Sequence, residues 1–188
     1  VSGSMAEPVQ NAGPPKIEMA RRSALALIQQ FATYATAHPE EPVLVGLYEF
    51  SDSSGDNTRE IIALSPADPQ RAAAALAGLR PRGGTPIGDA VVEGKRVLDR
   101  SGLTRRHLLV VTDGENTDGH EPEDVMAALA RRPPEERPSV YFVAFDIAAS
   151  RFDRVRDAGG LVLAAGNEQE LNDTLSALLT GKILVEER

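Results

Sequence analysis

The sequence predicts an α/β domain: a doubly wound, mostly parallel sheet with one antiparallel edge strand and helices on both faces. Three observations carry that reading. Short apolar runs alternate with helically spaced ones along the chain, the pattern of strands joined by helical crossovers. The strand-like runs, such as Val140–Phe145, are apolar at nearly every position, as a sheet covered on both faces requires. With 188 residues, 41% hydrophobic and 26% charged, the chain has the size and composition of one ordinary globular domain.

The elements follow in order. Residues 11–15 carry Gly and Pro and read as a loop. Ile17, Ala20, Ala24, Leu27, Ile28, Phe31, Tyr34 and Ala35 then recur at helical spacing, and Pro39 closes that helix. Residues 43–50 read as a buried strand, 51–58 as a polar loop and 59–64 as a short edge strand. Asp68 followed by Pro69 starts a helix to about Leu79, with the aspartate as cap and the proline in the first turn. Residues 80–85 form a glycine-bearing loop. Ile87, Ala90, Val91, Gly94, Val97 and Leu98 line one face of the next helix. His107–Thr112 is a buried strand that runs into Asp113 and Gly114. A helix over 122–132, a strand over 140–145, a helix over 151–158 stopped by Gly159 and Gly160, and a strand over 161–165 come next. Leu171, Leu175, Leu178 and Leu179 mark a last helix ending at Gly181. That makes five strands and six helices, one domain over residues 1–181, with 182–188 as a tail.

Composition excludes several functions. The net charge is -8, from 20 Lys+Arg against 28 Asp+Glu, which argues against nucleic acid and suits a cation ligand. There are no cysteines, so disulfides, zinc–thiolate sites and thiol catalysis are ruled out. No apolar run approaches the ~20 residues of a membrane span. Residues 1–5 have neither the basic region nor the apolar stretch of a signal peptide, and a start on Val1 suggests a piece of a longer chain. The compartment stays open.

In such a sheet, ligands bind beyond the strands' C-terminal ends. Three segments belong there: Val1-Ser2-Gly3-Ser4-Met5, Gly83-Gly84-Thr85-Pro86-Ile87-Gly88-Asp89-Ala90, and Val111-Thr112-Asp113-Gly114-Glu115-Asn116-Thr117. Together they offer hydroxyls from Ser2, Ser4 and Thr85 and a carboxylate from Asp113. Hard cations such as Mg²⁺ and Mn²⁺ choose oxygen donors of this kind. An ion held mainly by neutral hydroxyls keeps its charge and can attract a carboxylate from another molecule.

These three segments, in this order, resemble the metal-ion-dependent adhesion site of von Willebrand factor A-type domains, the Rossmann-like module also inserted in integrins. The family's Asp-x-Ser-x-Ser motif meets Ser2 and Ser4 here, its separate threonine meets Thr85, and the aspartate closing its fourth strand meets Asp113. The family's first aspartate, and its central first strand, would lie ahead of Val1. The resemblance implies Mg²⁺ (or Mn²⁺ or Ca²⁺) at Ser2, Ser4, Thr85 and Asp113. It also implies a protein partner presenting Asp or Glu, and a final helix able to shift as the site rearranges. Asp89, Glu115, Asn116 and Thr117 would form the partner-contacting rim.

Each residue also has a plainer role. Thr85 before Pro86 reads as a helix N-cap as readily as a ligand. Asp113-Gly114 alone is a turn, and Ser2-Gly3-Ser4 alone is a linker. Asp89 suits the first turn of a helix through the helix dipole, or supports the ion from behind. Glu115, Asn116 and Thr117 read from the residues alone as surface loop, with partner contact as the alternative. The run 52–57 resembles a calcium loop but fails the EF-hand template, with Ala63 at its twelfth position. Arg105, Arg106, Arg131 and Arg132 read as solvated surface. No G-x-S-x-G elbow and no phosphate-binding glycine motif occurs, and His38, His107 and His120 have no evident nucleophile beside them. The expectation is a metal-dependent interaction module that is not an enzyme. A metal-dependent hydrolase and a scaffold with a vestigial site are the alternatives.

Overall fold

The computed structural model describes residues 2–9, 14–51 and 57–185; residues 52–56 of the polar loop that resembles a calcium loop, and most of the 11–15 loop, lie outside them. The elements are α1 (Lys16–Ala37), β1 (Leu44–Phe50), β2 (Thr58–Pro66), α2 (Pro69–Ala77), α3 (Ile87–Asp99), β3 (His107–Thr112), α4 (Pro122–Ala130), β4 (Ser139–Phe145), α5 (Asp153–Asp157), β5 (Leu161–Ala165) and α6 (Glu168–Leu178). A 3₁₀ turn, Gly3–Ala6, precedes them.

The expected α/β architecture is present, with its strands in two groups. β3, β4 and β5 pair in parallel, in that spatial order, and β1 pairs with β2 antiparallel. Side chains alternate across β4 and fix which helix covers which face. Val140, Phe142 and Ala144 meet Ile87 and Val91 of α3, Val125, Met126 and Leu129 of α4, and Val155 of α5. Tyr141, Val143 and Phe145 meet Met19 of α1 and Leu171, Leu175 and Leu178 of α6. Both faces are apolar, which explains the unbroken hydrophobic run in β4.

β1 and β3 do not pair with each other, and a slot of about 480 Å³ lies between them. Its sides are β1 and β3, α1 contributes Ala24, Leu27 and Phe31, and α3 contributes Gly94, Val97 and Leu98. Ser2 and Asp113 stand at one end of it.

Some boundaries differ from expectation. β2 is longer than 59–64, because it pairs along all of β1 from Phe50↔Thr58 to Leu44↔Pro66. Residues 151–158 split into a 3₁₀ turn, Ala149–Phe152, and the short α5, since Phe152 turns into the core. The last helix does not stop at Gly181. A wider π-helical turn, Leu179–Ile183, carries the chain on and packs Ile183 against the β4–α6 core, so the expected tail at 182–188 begins inside a helical turn.

Candidate metal centre

β3 ends at Thr112, and the next residue, Asp113, has a fully buried side chain. Thr112 fixes the turn: its hydroxyl donates to the Gly114 carbonyl at 3.0 Å and accepts from the Gly114 N–H at 3.3 Å. Asp113 is thus held at the carboxyl end of a strand, where ligands bind in this architecture.

The first loop comes to it. Ser2 Oγ donates to Asp113 Oδ1 at 2.9 Å and Ser4 Oγ donates to the same oxygen at 2.8 Å. The two hydroxyls lie 3.1 Å apart. Met5, buried against Ile17, Leu76 and Leu79, anchors the 3₁₀ turn that presents them. The second loop joins through the backbone, Gly3 N–H donating to the Gly83 carbonyl at 3.1 Å. A Cβ placed on Gly114 would stand 3.5 Å from Thr85 Oγ1 and 3.9 Å from Ser4 Oγ, so hydroxyls from both loops reach the same point beside Asp113. Ser2, Ser4, Thr85 and Asp113 are together, and Ser2, Thr85 and Asp113 are buried.

Thr85 does not cap α3. The helix begins at Ile87, its cap residue is Pro86, and no side chain of the cap bonds to it. The acceptor comes from the third loop: Asn116 Oδ1 takes the Ile87 N–H at 2.8 Å and the Gly88 N–H at 3.4 Å. Thr117 Oγ1 accepts from the Thr85 N–H at 2.8 Å and donates to Asp118 at 2.6 Å. Asn116 and Thr117 therefore splice the second and third loops together, and Thr85's hydroxyl is left to the site. Gly88 is required here, since a Cβ would run into the His120 backbone.

The other expected rim residues are placed differently. Glu115 is exposed and pairs with Arg151 at 3.2 Å. Asp89 receives hydrogen bonds from the Asn57 amide, from the His120 N–H at 3.0 Å and from the His120 ring. Burial works against its charged form, yet these donors hold the Asp89 carboxyl below the usual aspartate value. It clasps two loops.

Two residues escaped the sequence reading. Lys16, in the first turn of α1, places Nζ 3.3 Å from Asp113 Oδ2 and 3.0 Å from Asp146 Oδ2. Asp146 follows β4 as Asp113 follows β3, and that parallel placement was the available signal. Its backbone is left-handed, φ 54°, a conformation aspartate tolerates better than most side chains. Burial lowers the Lys16 pKa, but the two carboxylates outweigh it and raise it overall.

The donor set fits a small hard cation, with three hydroxyls and a carboxylate, all oxygen, converging at a protected point. A second group, His38, Glu40 and Glu41, brings ligand atoms within 4.8 Å of one another at the far end of α1. That helix of 22 residues spans about 33 Å. Glu41 is already engaged there by Tyr34 at 2.9 Å and Arg105 at 3.1 Å. Among the described residues no helix is long and apolar enough to cross a membrane.

Known structures share this fold. A von Willebrand factor type A structure from Catenulispora acidiphila superposes with a TM-score of 0.74 at 19% identity, covering 99% of this chain and 41% of that one. The PilB minor pilin from Streptococcus sanguinis gives 0.72 at 17% identity, covering 96% and 58%. Proximal thread matrix protein 1 from the mussel byssus, solved with a zinc-occupied MIDAS motif, gives 0.65 at 16% identity, covering 87% and 42%. The chain thus spans little more than half of the pilin and less of the other two. No curated protein matches it by sequence. The family model for the von Willebrand factor type A domain matches residues 1–177, from the first serine loop through nearly all of the last helix, and the chain belongs to that family.

Proposed function

We propose that this domain binds Mg²⁺, or Mn²⁺ or Ca²⁺ in its place, through Ser2, Ser4, Thr85 and Asp113, and uses the ion to hold a carboxylate of a partner protein. The observation that carries the reading is the meeting of Ser2 and Ser4 on one oxygen of a buried aspartate more than a hundred residues away. Three neutral hydroxyls leave the ion's charge largely uncancelled, so it can recruit an outside Asp or Glu. Asp113 would hold the ion or a water on it, and the chain's own residues position the donors. The zinc-occupied motif of the mussel protein supports metal loading in a distant relative of the same fold.

The domain acts by binding, without catalysis. Two-metal hydrolases need several acidic ligands around ions ~3.5–4 Å apart. Here Asp113 is the one carboxylate among the four converging donors, and the nearby Asp146 is paired with Lys16. The slot between β1 and β3 has room for a further strand paired with both.

Crystals soaked in Mn²⁺ test the site. An ion within ~2.5 Å of at least two of the four side chains is expected. Uptake lost on Asp113→Ala and chelator-sensitive binding of an acidic peptide should accompany it. An ion elsewhere overturns the assignment, no uptake at all favours a vestigial site, and metal-dependent ester or peptide turnover lost in Asp113→Ala favours a hydrolase.

A further inference from the structure

Asp113 has two oxygens, and the fold assigns them to different partners. Oδ1 receives the hydroxyls of Ser2 and Ser4. Oδ2 faces the Lys16 ammonium at 3.3 Å, and the same ammonium reaches Asp146 Oδ2 at 3.0 Å. We propose that Lys16 is a tethered cation that competes with the divalent ion for Asp113, and that Asp146 is where its charge is parked when the ion is bound. This rests on the metal reading above and adds the control of that site.

The chemistry follows from the groups involved. An ammonium has only donors and can never ligate a metal, so near the ion it is a rival positive charge. Without a divalent ion, Asp113 would be a buried carboxylate with hydroxyl partners alone, and Lys16 supplies the missing charge. With one bound, the ammonium and the ion share a carboxylate and repel. Lys16 cannot withdraw far, since its backbone N–H is fixed to the Glu7 carbonyl at 2.8 Å and its side chain is only 9% exposed. Asp146 is more open, with 21% of its side chain exposed, and already binds the ammonium at the shorter distance. A small swing toward Asp146 relieves the repulsion without leaving a buried charge unpaired. Lys16 thus weakens metal binding and makes it reversible, and Asp146 limits that weakening.

Competing sites are coupled, and couplings of this kind change affinity by about 5- to 150-fold. The test titrates the 188-residue chain with Mn²⁺, reading the free ion by electron paramagnetic resonance, with circular dichroism to verify the fold. Lys16→Met should bind Mn²⁺ tighter by about that factor, and Asp146→Asn should bind it more weakly. If the pair were only structural, both changes would move affinity the same way. In the double variant, Asp146→Asn should have little further effect, because it acts through Lys16; an equal loss in both backgrounds would mean simple long-range charge and overturn the proposal. Unchanged or weaker Mn²⁺ binding in a folded Lys16→Met also overturns it. If that variant fails to fold, Lys16→Gln, whose amide can still donate to Asp113, takes its place with the same expectation. No uptake by the wild type and by the lysine variant alike overturns the metal reading itself.

Discussion

At the scale of single residues, the decisive contacts join positions far apart in sequence. Asn116, which the resemblance places on the partner-contacting rim, also caps α3, 29 residues away, through Ile87. Residue type explains why it suits the task, since asparagine is among the best caps, but no local pattern ties it to Ile87 rather than to its own loop. Asn116→Ala should destabilise the domain by about 1–2 kcal/mol in urea unfolding. It should also weaken Mn²⁺ uptake, because Thr85 is placed by the same splice. Unchanged uptake with lowered stability would separate Thr85 from the site. Gly88→Ala tests the neighbouring close approach, where the obstacle is backbone that cannot rotate away. A loss of about 1–3 kcal/mol is expected, as for other overpacked sites. That Asp113 would stand at a strand end was legible from the apolar run before it, whereas grouping Ser2, Ser4 and Thr85 with it came from the order of the three motifs and the family they resemble. Lys16 was not legible, since a lysine in the first turn of a helix is ordinary until the fold sets it between two strand ends.

Among the elements, strands with unbroken apolar runs and helices with clear periodicity were legible, because burial on two faces or one stripe leaves its mark in composition. The tail was not. Thr180, Gly181 and Lys182 signal a stop, yet Ile183 has a core site waiting and the chain widens into a π turn to reach it. Polar contacts with α1 hold this last helix near both of its ends. Arg22 of α1 binds Glu168 through two hydrogen bonds, 2.6 and 2.7 Å, and Gln30 donates to Ser176 at 3.0 Å. The hydrogen bonds from Arg22 lower the Glu168 pKa below 4.5. Its stabilisation is therefore full above about pH 4.5 and is lost as pH falls through the depressed folded value. Both side chains are partly exposed, so the effect is at most about 1 kcal/mol. The stability difference between wild type and Arg22→Gln should be present at pH 6 and vanish at pH 2.5. A difference that persists in acid would mean that Arg22 acts by packing its stem and not by charge.

At the scale of the whole molecule, the slot is the feature with the largest energetic consequence. β1 and β3 each turn an edge toward it, and both helical layers line it with apolar side chains. A backbone hydrogen bond nets about 0.5–1.5 kcal/mol, so a strand that paired with both edges would add several such contributions in hydrogen bonding alone. Apolar contact with Leu27, Phe31, Val97 and Leu98 would add more. The occupant expected on this reading is extended and apolar on both faces, and ends beside Ser2, where the chain continues into the serine loop. A chain lengthened upstream by about 15 residues of its own sequence should therefore melt higher. For a domain of this size each kcal/mol is worth about 2–4 °C, so a rise of 10 °C or more is expected. A dye such as ANS, which reports exposed apolar surface, should bind the lengthened chain less than the 188-residue one. Mn²⁺ affinity should rise in the same protein, because the strand would press the Ser2 end of the slot into place. A higher melting temperature with unchanged Mn²⁺ affinity would make the slot a matter of folding alone. An unchanged melting temperature and unchanged dye binding would mean that the upstream residues lie elsewhere and that the two strand groups stand apart by design.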